Sequence, residues 1–223
     1  MKTLLKYLAV AAVAAGLTIS ASAVPVLTIY DGVNALISIS DNGTGDEDAT
    51  VGAVQWSDSI GVWTINLDLG LTKPLLGSAT APDMDLSFVA YSTGAGKLWV
   101  SLSDNGFNYN GSLIDEIGGT TAGTVTDYVV EGYTTLDENL NITYGNVVAS
   151  QGPFGPGAFS GTTYGSVSLD AETWLTIAVV IEHDGSGITT GDKHVHVPDG
   201  GMTALLLGFG LLGLAASARR LKK

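Results

Sequence analysis

Apolar and polar residues alternate through most of this chain, and a period of two fixes the kind of structure it can form. Gly61-Val62-Trp63-Thr64-Ile65-Asn66-Leu67-Asp68-Leu69 places Trp63, Ile65, Leu67 and Leu69 on one side and Thr64, Asn66 and Asp68 on the other. Ala35 to Ser40, Leu98 to Ser103 and Trp174 to Glu182 repeat the pattern. Such alternation buries one face of an extended strand and wets the other. The runs are rich in Thr, Val, Ile, Tyr and Trp, which suit a pleated, half-buried surface. Gly, Asn and Asp separate them at intervals of about 8–12 residues, the spacing of a sandwich or barrel. The pattern predicts strands near 26–30, 34–40, 51–56, 60–69, 84–91, 97–103, 124–133, 140–148, 162–169 and 173–183. The expected fold is all-β, a single antiparallel β-sandwich of about eight to ten strands. Gln151-Gly152-Pro153-Phe154-Gly155-Pro156-Gly157 is expected as a loop, since proline cannot donate within a central strand.

One internal echo is visible. Ile37-Ser38-Ile39-Ser40-Asp41-Asn42-Gly43 returns 63 residues later as Val100-Ser101-Leu102-Ser103-Asp104-Asn105-Gly106. Both run a strand into Asp-Asn-Gly, a strong turn signal. Shared turn chemistry accounts for the echo more simply than a pseudo-symmetric pair of hairpins does.

The two ends are organised differently from the middle. Lys2 and Lys6 precede an apolar run from Tyr7 to Ile19, and Ala21-Ser22-Ala23 supplies small residues ahead of Val24. These are the three parts of a secretory signal helix, residues 1–23, cut by signal peptidase after Ala23. At the other end Val197-Pro198-Asp199-Gly200-Gly201 leads into Met202 to Ala218, seventeen residues without a charge, closed by Arg219, Arg220, Lys222 and Lys223. As a helix this stretch spans roughly 25 Å, enough for a short transmembrane helix. The terminal cations hold its end in the cytoplasm and the rest of the chain outside.

This tail resembles the sorting tails of proteins handled by exosortases, the PEP-CTERM-like family, in the variant that reads Val-Pro-Asp-Ser-Gly (VPDSG-CTERM). Val197, Pro198, Asp199 and Gly201 match that variant, and Gly200 stands where it has Ser. The resemblance covers about the last 27 residues. It implies a membrane-embedded peptidase that cuts near the motif and releases the passenger from the inner membrane to the cell surface or extracellular matrix. The stretch from Trp63 to Phe107 also resembles an uncharacterised PEP-CTERM-associated β domain, through Trp63-Thr64-Ile65-Asn66, Thr72-Lys73-Pro74, Pro82-Asp83-Met84-Asp85-Leu86 and Leu98 to Phe107. That adds membership and no chemistry. The expected layout is a signal at 1–23, a passenger at 24–190, a linker at 191–196 and the sorting segment at 197–223.

The mature passenger carries 21 acidic residues against Lys73, Lys97 and Lys193, a formal charge of about −18. A surface so acidic excludes nucleic acid, whose affinity rests on Lys and Arg at phosphates. It also disfavours anionic lipid and favours solubility and attraction of cations. About 174 residues suffice for one domain with a real core, and with no cysteine that core must form without disulfides.

Candidate chemistry is sparse. Nucleophilic triads need a Cys or Ser beside a His, and the passenger has only His183, His194 and His196 and no Gly-x-Ser-x-Gly elbow. Carboxylate pairs such as Asp83 and Asp85 are too common here to single out a glycosidase, so the reading is non-enzymatic. His194-x-His196, with Asp192 on the same side, could take Zn²⁺ or Cu²⁺, although its place beside the sorting motif suits a merely soluble stalk. Asp41, Asp46, Glu47 and Asp48 crowd one loop and form a candidate Ca²⁺ site, without the spacing of an EF-hand. Three Asn-x-Ser/Thr sequons begin at Asn42, Asn110 and Asn141 and have no consequence in most bacteria. The expected role is structural or adhesive, with extracellular polysaccharide as a possible partner. The alternative is a carbohydrate-binding module using Trp56, Trp63, Trp99 or Trp174, although Trp63 and Trp99 fit buried positions better than an exposed platform.

Overall fold

The computed structural model describes residues 24–136 and 140–198. The signal segment with Ala21 and Ala23, both terminal helices expected above, and Asp199, Gly200 and Gly201 of the motif lie outside the described residues. Val24, the expected mature N-terminus, is half-exposed two residues ahead of the first strand.

Every regular element among the described residues is a strand. In chain order they are β1 (Val26–Tyr30), β2 (Ile37–Ser40), β3 (Ala53–Ile60), β4 (Trp63–Leu71), β5 (Asp83–Ser92), β6 (Gly96–Asp104), β7 (Tyr109–Thr121), β8 (Thr124–Leu136), β9 (Ile142–Phe154), β10 (Gly157–Leu169), β11 (Leu175–His183) and β12 (Gly187–His196). They form two six-stranded antiparallel sheets. The first has the order β2-β1-β6-β11-β8-β9 and the second β10-β7-β12-β5-β4-β3. The inward positions of both sheets interdigitate in one core that includes Leu27, Val100, Ile177, Trp63, Phe88 and Val195. This is an antiparallel β-sandwich, held by burial of alternating apolar residues from both sides.

Several expectations need correction. Twelve strands are described where eight to ten were expected. The two strands not anticipated are β7 and β12. Each carries a charged residue at an inward position, Asp115 in β7 and Lys193 in β12, where the period demands an apolar one. Residues 191–196, read as a linker, are the second half of β12, a central strand paired with both β5 and β7. Val197 then packs directly on the core, so the domain runs to Val197. Gln151 to Phe154, read as loop, ends β9, and proline is tolerated there because β9 is an edge strand. Phe154 is partly buried against the core. It stacks on Phe159 at 5.3 Å between ring centroids.

The internal echo acquires a geometric meaning. Its two copies are β2 and β6, the strands on either side of β1. Leu27 pairs with both Ile39 and Leu102, Thr28 with both Ser38 and Ser101, and Val26 with both Ser40 and Ser103. The repeat thus places matching residues on both flanks of β1, with a positive φ at Asn42 and at Gly106 in the turns that follow. It places equivalent serines on both flanks of one strand.

Candidate functional site

The outer face of the first sheet is where the structure departs most from a plain sandwich. Leu98, Val100 and Leu102 of β6 point into the core, so Lys97, Trp99, Ser101 and Ser103 point out. Yet Trp99 is 1% exposed. The end of β8, the start of β9 and Leu140 bring Leu136, Leu140 and Ile142 against Trp99 and Ala178, with Tyr30, Tyr128 and Val180 around them. A second small apolar cluster thus covers part of the outer face. Trp99 stacks on Tyr128 at 6.2 Å between centroids, and its Nε1 donates to Ser101 Oγ at 2.9 Å. Trp99 is buried as the sequence suggests, but in this outer cluster and not beside Trp63 in the main core.

Next to the cluster runs a groove of about 410 Å³. Val26 and Thr28 of β1 and Ser101 and Ser103 of β6 form its floor with Trp99. Thr176 of β11, Thr134 and Leu136 of β8, and Trp174 ahead of β11 form one wall, while Leu36 and Ser38 form the other. Its lining holds two indoles, six hydroxyls and no charged side chain. Trp174 is half-buried and so has ring surface available. Ser103 and Thr176 share a hydrogen bond of 2.8 Å, whereas Thr134 Oγ1 is buried without a partner. Sequence reasoning missed this site because its residues come from five separated segments. The available signal was the doubled Ser-x-Ser of the echo.

The outer face of the second sheet is its electrostatic opposite. Glu116, His194 and His196 each offer an atom within 4.8 Å of the others, and these residues could hold a divalent cation. His194 and His196 stack at 4.5 Å, His194 Nε2 lies 2.7 Å from Asp83 Oδ1, and His196 Nδ1 is buried without a partner. Asp192 does not join them. It accepts from Ser87 Oγ at 2.8 Å. Asp85 nearby is pushed up from 3.8 to about 6, first by burial and then by Asp192, with His194 opposing. A carboxyl whose folded value lies above its unfolded one adds stability below the unfolded value and loses it as pH rises through the folded one. Asp85→Asn should therefore leave stability unchanged near pH 4 and raise it at pH 8 by about 1 kcal/mol, a figure discounted for partial exposure. Urea denaturation at the two pH values measures it.

The candidate Ca²⁺ loop joins β2 to β3. Its carboxylates are turned toward the chain. Asp46 accepts from the backbone N–H groups of Asn42, Asp48 and Gln55 at 2.7, 3.1 and 2.9 Å. Asp41 accepts from Gly52 N at 2.8 Å, Glu47 from Ser57 N at 3.3 Å and Asp48 from Thr50 N at 2.7 Å. Hydrogen bonds from Thr50 hold Asp48 below the usual carboxylate range. This geometry orders the loop by itself.

The remaining candidates are interior. Ser92 Oγ lies 2.7 Å from His183 Nδ1, a pairing that a nucleophile would need, but Ser92 is fully buried and donates to Gly185 O. The far ring nitrogen meets Thr189 Oγ1 at 2.7 Å and no carboxylate orients it. Burial holds this imidazole below its usual value, so it stays neutral and ties β5, β11 and β12 together. Lys73 donates to Asp104 Oδ2 at 2.5 Å and sits 3.9 Å over the Phe107 ring. Lys193 is buried between Asp115 and Asp127, at 2.5 and 2.7 Å. Burial pushes Asp127 up to about 6, against the pull of Lys193.

By fold the chain is a two-sheet antiparallel β-sandwich. No protein-family model and no curated protein matches its sequence. Among solved structures it is similar to a study of promiscuous carbohydrate-binding modules of the β-sandwich superfamily, at 11% identity and a TM-score of 0.38, over 78% of this chain and 86% of that one. It is also similar to a family 11 carbohydrate-binding module from Clostridium thermocellum in complex with a mixed-linked tetrasaccharide, at 11% identity and 0.32, over 77% and 95%. The K2 cleaved adhesin domain of Lys-gingipain matches at 11% and 0.31, over 77% and 98%. Scores this low leave the functional reading to the chain's own residues.

Proposed function

We propose that this protein is an exported, non-catalytic glycan-binding domain of the cell surface or extracellular matrix, holding neutral polysaccharide in the groove of the first sheet. The observation that carries the proposal is the groove's lining. On a passenger with a charge of about −18, it holds indole and hydroxyl groups and no charge. Uncharged hydroxyls exchange hydrogen bonds with sugar hydroxyls, and an indole face covers the apolar face of a pyranose. Binding of this kind makes the domain adhesive within a matrix, which joins the structural reading to the carbohydrate-binding one. Export by signal peptidase and release near Val197-Pro198-Asp199-Gly200-Gly201 by an exosortase-like peptidase complete the proposal. Release after β12 leaves every strand of the sandwich in the product.

Affinity electrophoresis of the exported protein tests the groove, using gels that contain a mixed-linkage β-glucan, a β-galactan or a dextran. At least one neutral polymer should retard the wild type. Trp174→Ala should weaken that binding by about tenfold or more, roughly 1.4 kcal/mol, with its melting transition retained. Free migration in all three gels, or equal retardation of the variant, would refute the assignment.

A further inference from the structure

Lys193, Asp115 and Asp127 meet in the interior, where all three are fully buried. Lys193 and Asp115 come from neighbouring strands of the second sheet, while Asp127 reaches across from β8 of the first. The inward positions two residues away on the same strands are Leu113 and Ile117, Val125 and Val129, and Val195, all apolar and buried. One ammonium therefore faces two carboxyls in a dry, apolar pocket. The two carboxyls are not equivalent. Asp115 also faces Gln151 Nε2, 3.5 Å from its second oxygen, and Nζ donates to its first at 2.5 Å. Asp127 accepts from Nζ at 2.7 Å through one oxygen, and its Oδ1 has no partner. An unsolvated, unpartnered oxygen favours the neutral carboxylic acid at Asp127, with the charge on Asp115.

We infer that Lys193 forms an intramolecular amide with Asp127, with Asp115 as the base that activates the amine. The Lys193 ammonium passes one proton to the Asp115 carboxylate. The freed amine attacks Cγ of the Asp127 carboxylic acid and forms a C–N bond. The tetrahedral intermediate then breaks its C–OH bond. The departing hydroxyl takes a second proton from the nitrogen, relayed by Asp115, and leaves as water. The products are one amide, one water and a neutral Asp115 carboxylic acid, with no net change in charge and no oxidation or reduction. Two features favour this condensation over the reverse hydrolysis. Nζ is held against the carboxyl it attacks, and intramolecular geometry of this quality is worth roughly 10⁵ M or more in effective concentration. The reaction also discharges a buried ion pair in a site that excludes water.

The bond would join β8 of one sheet to β12 of the other. β12 is the last strand of the described residues, so the bond ties the C-terminal end of the sandwich to the opposite sheet. With no cysteine in the chain, such an amide supplies the covalent link between sheets that a disulfide gives other exported domains. The inference does not depend on the glycan-binding proposal.

Peptide mass spectrometry of the full chain, exported by its host and digested after glutamate, tests it directly. Cleavage at Glu47, Glu116, Glu131 and Glu182 separates Asp115, Asp127 and Lys193 into three different peptides. The peptide with Asp127 and the one with Lys193 should appear as a single species, lighter by one water than their sum, and trypsin should no longer cleave after Lys193. Asp115→Asn should yield the same two peptides unjoined, and Lys193→Met likewise. Separate peptides from folded wild type would overturn the inference whatever the variants do. A bond ending on Asp115, or a full yield of amide in Asp115→Asn, would overturn the roles assigned to the two carboxyls.

Discussion

In the chain before the amide forms, Lys193→Ala should cost about 3–5 kcal/mol relative to the ion-paired site, because it leaves two buried carboxyls with no cation. That is a large share of the roughly 5–15 kcal/mol that holds a domain of this kind together. Lys193 and both aspartates are fully buried, so no solvent replaces the missing charge. Urea denaturation at pH 7 should show a much earlier midpoint or no folded baseline. The sign of the pH dependence is also determined. Without Lys193, whose pull opposes burial, Asp127 would be pushed further up in the folded state. Protonated Asp127 would then stabilise the variant below the unfolded carboxyl value, and that stability would be lost as pH rises through the folded one. The variant should therefore recover part of its stability near pH 4. Replacing all three groups together, Lys193→Met with Asp115→Leu and Asp127→Leu, should restore a folded domain, since apolar residues of similar volume fill such a site without the desolvation penalty. A triple variant less stable than Lys193→Ala would show that the site is held by something other than this charge balance.

Trp63→Ala should cost about 3–5 kcal/mol by opening a cavity between the sheets. Trp63 is 1% exposed, its Nε1 donates to Lys97 O at 3.0 Å across the sandwich, and its ring lies 4.9 Å from that of His183. Trp63→Phe keeps much of the apolar contact and removes the donor, so it should cost less, about 1–2 kcal/mol above the lost volume. Trp99→Ala separates the two apolar clusters. Its ring packs on the outer face and not between the sheets, so the variant should keep a cooperative transition while losing groove binding. Thermal melts of the three variants, read beside affinity electrophoresis, decide whether the clusters are independent. Equal loss of binding in Trp63→Ala with its fold retained would contradict the separation.

The sandwich was legible in the sequence wherever inward residues were apolar. β1, β6 and β11 declare themselves by Leu, Ile or Val at their inward positions, and β4, β5 and β8 by shorter apolar runs interrupted at Gly70, Ser92 and Asp127, because burial of such residues follows local periodicity. The acidic character of the surface and the absence of disulfides were likewise set by composition. Three things were decided only in the tertiary structure. β7 and β12 were invisible because few of their inward positions are apolar: Asp115 interrupts β7, and β12 turns Thr189, Gly191 and Lys193 inward beside Val195, the charges being tolerated because Lys193 meets both Asp115 and Asp127. Nothing in either strand's own sequence announces a partner 78 residues away. The serines of the internal echo gained a role only when β2 and β6 were set on either side of β1, which depends on strand order and not on strand propensity. Trp99 has the period of an outward residue and the burial of an inward one, because the ends of β8 and β9 bring Leu136, Leu140 and Ile142 over it. Periodicity tells which side of a strand a residue takes. Which chain segment comes to cover that side is settled by long-range packing.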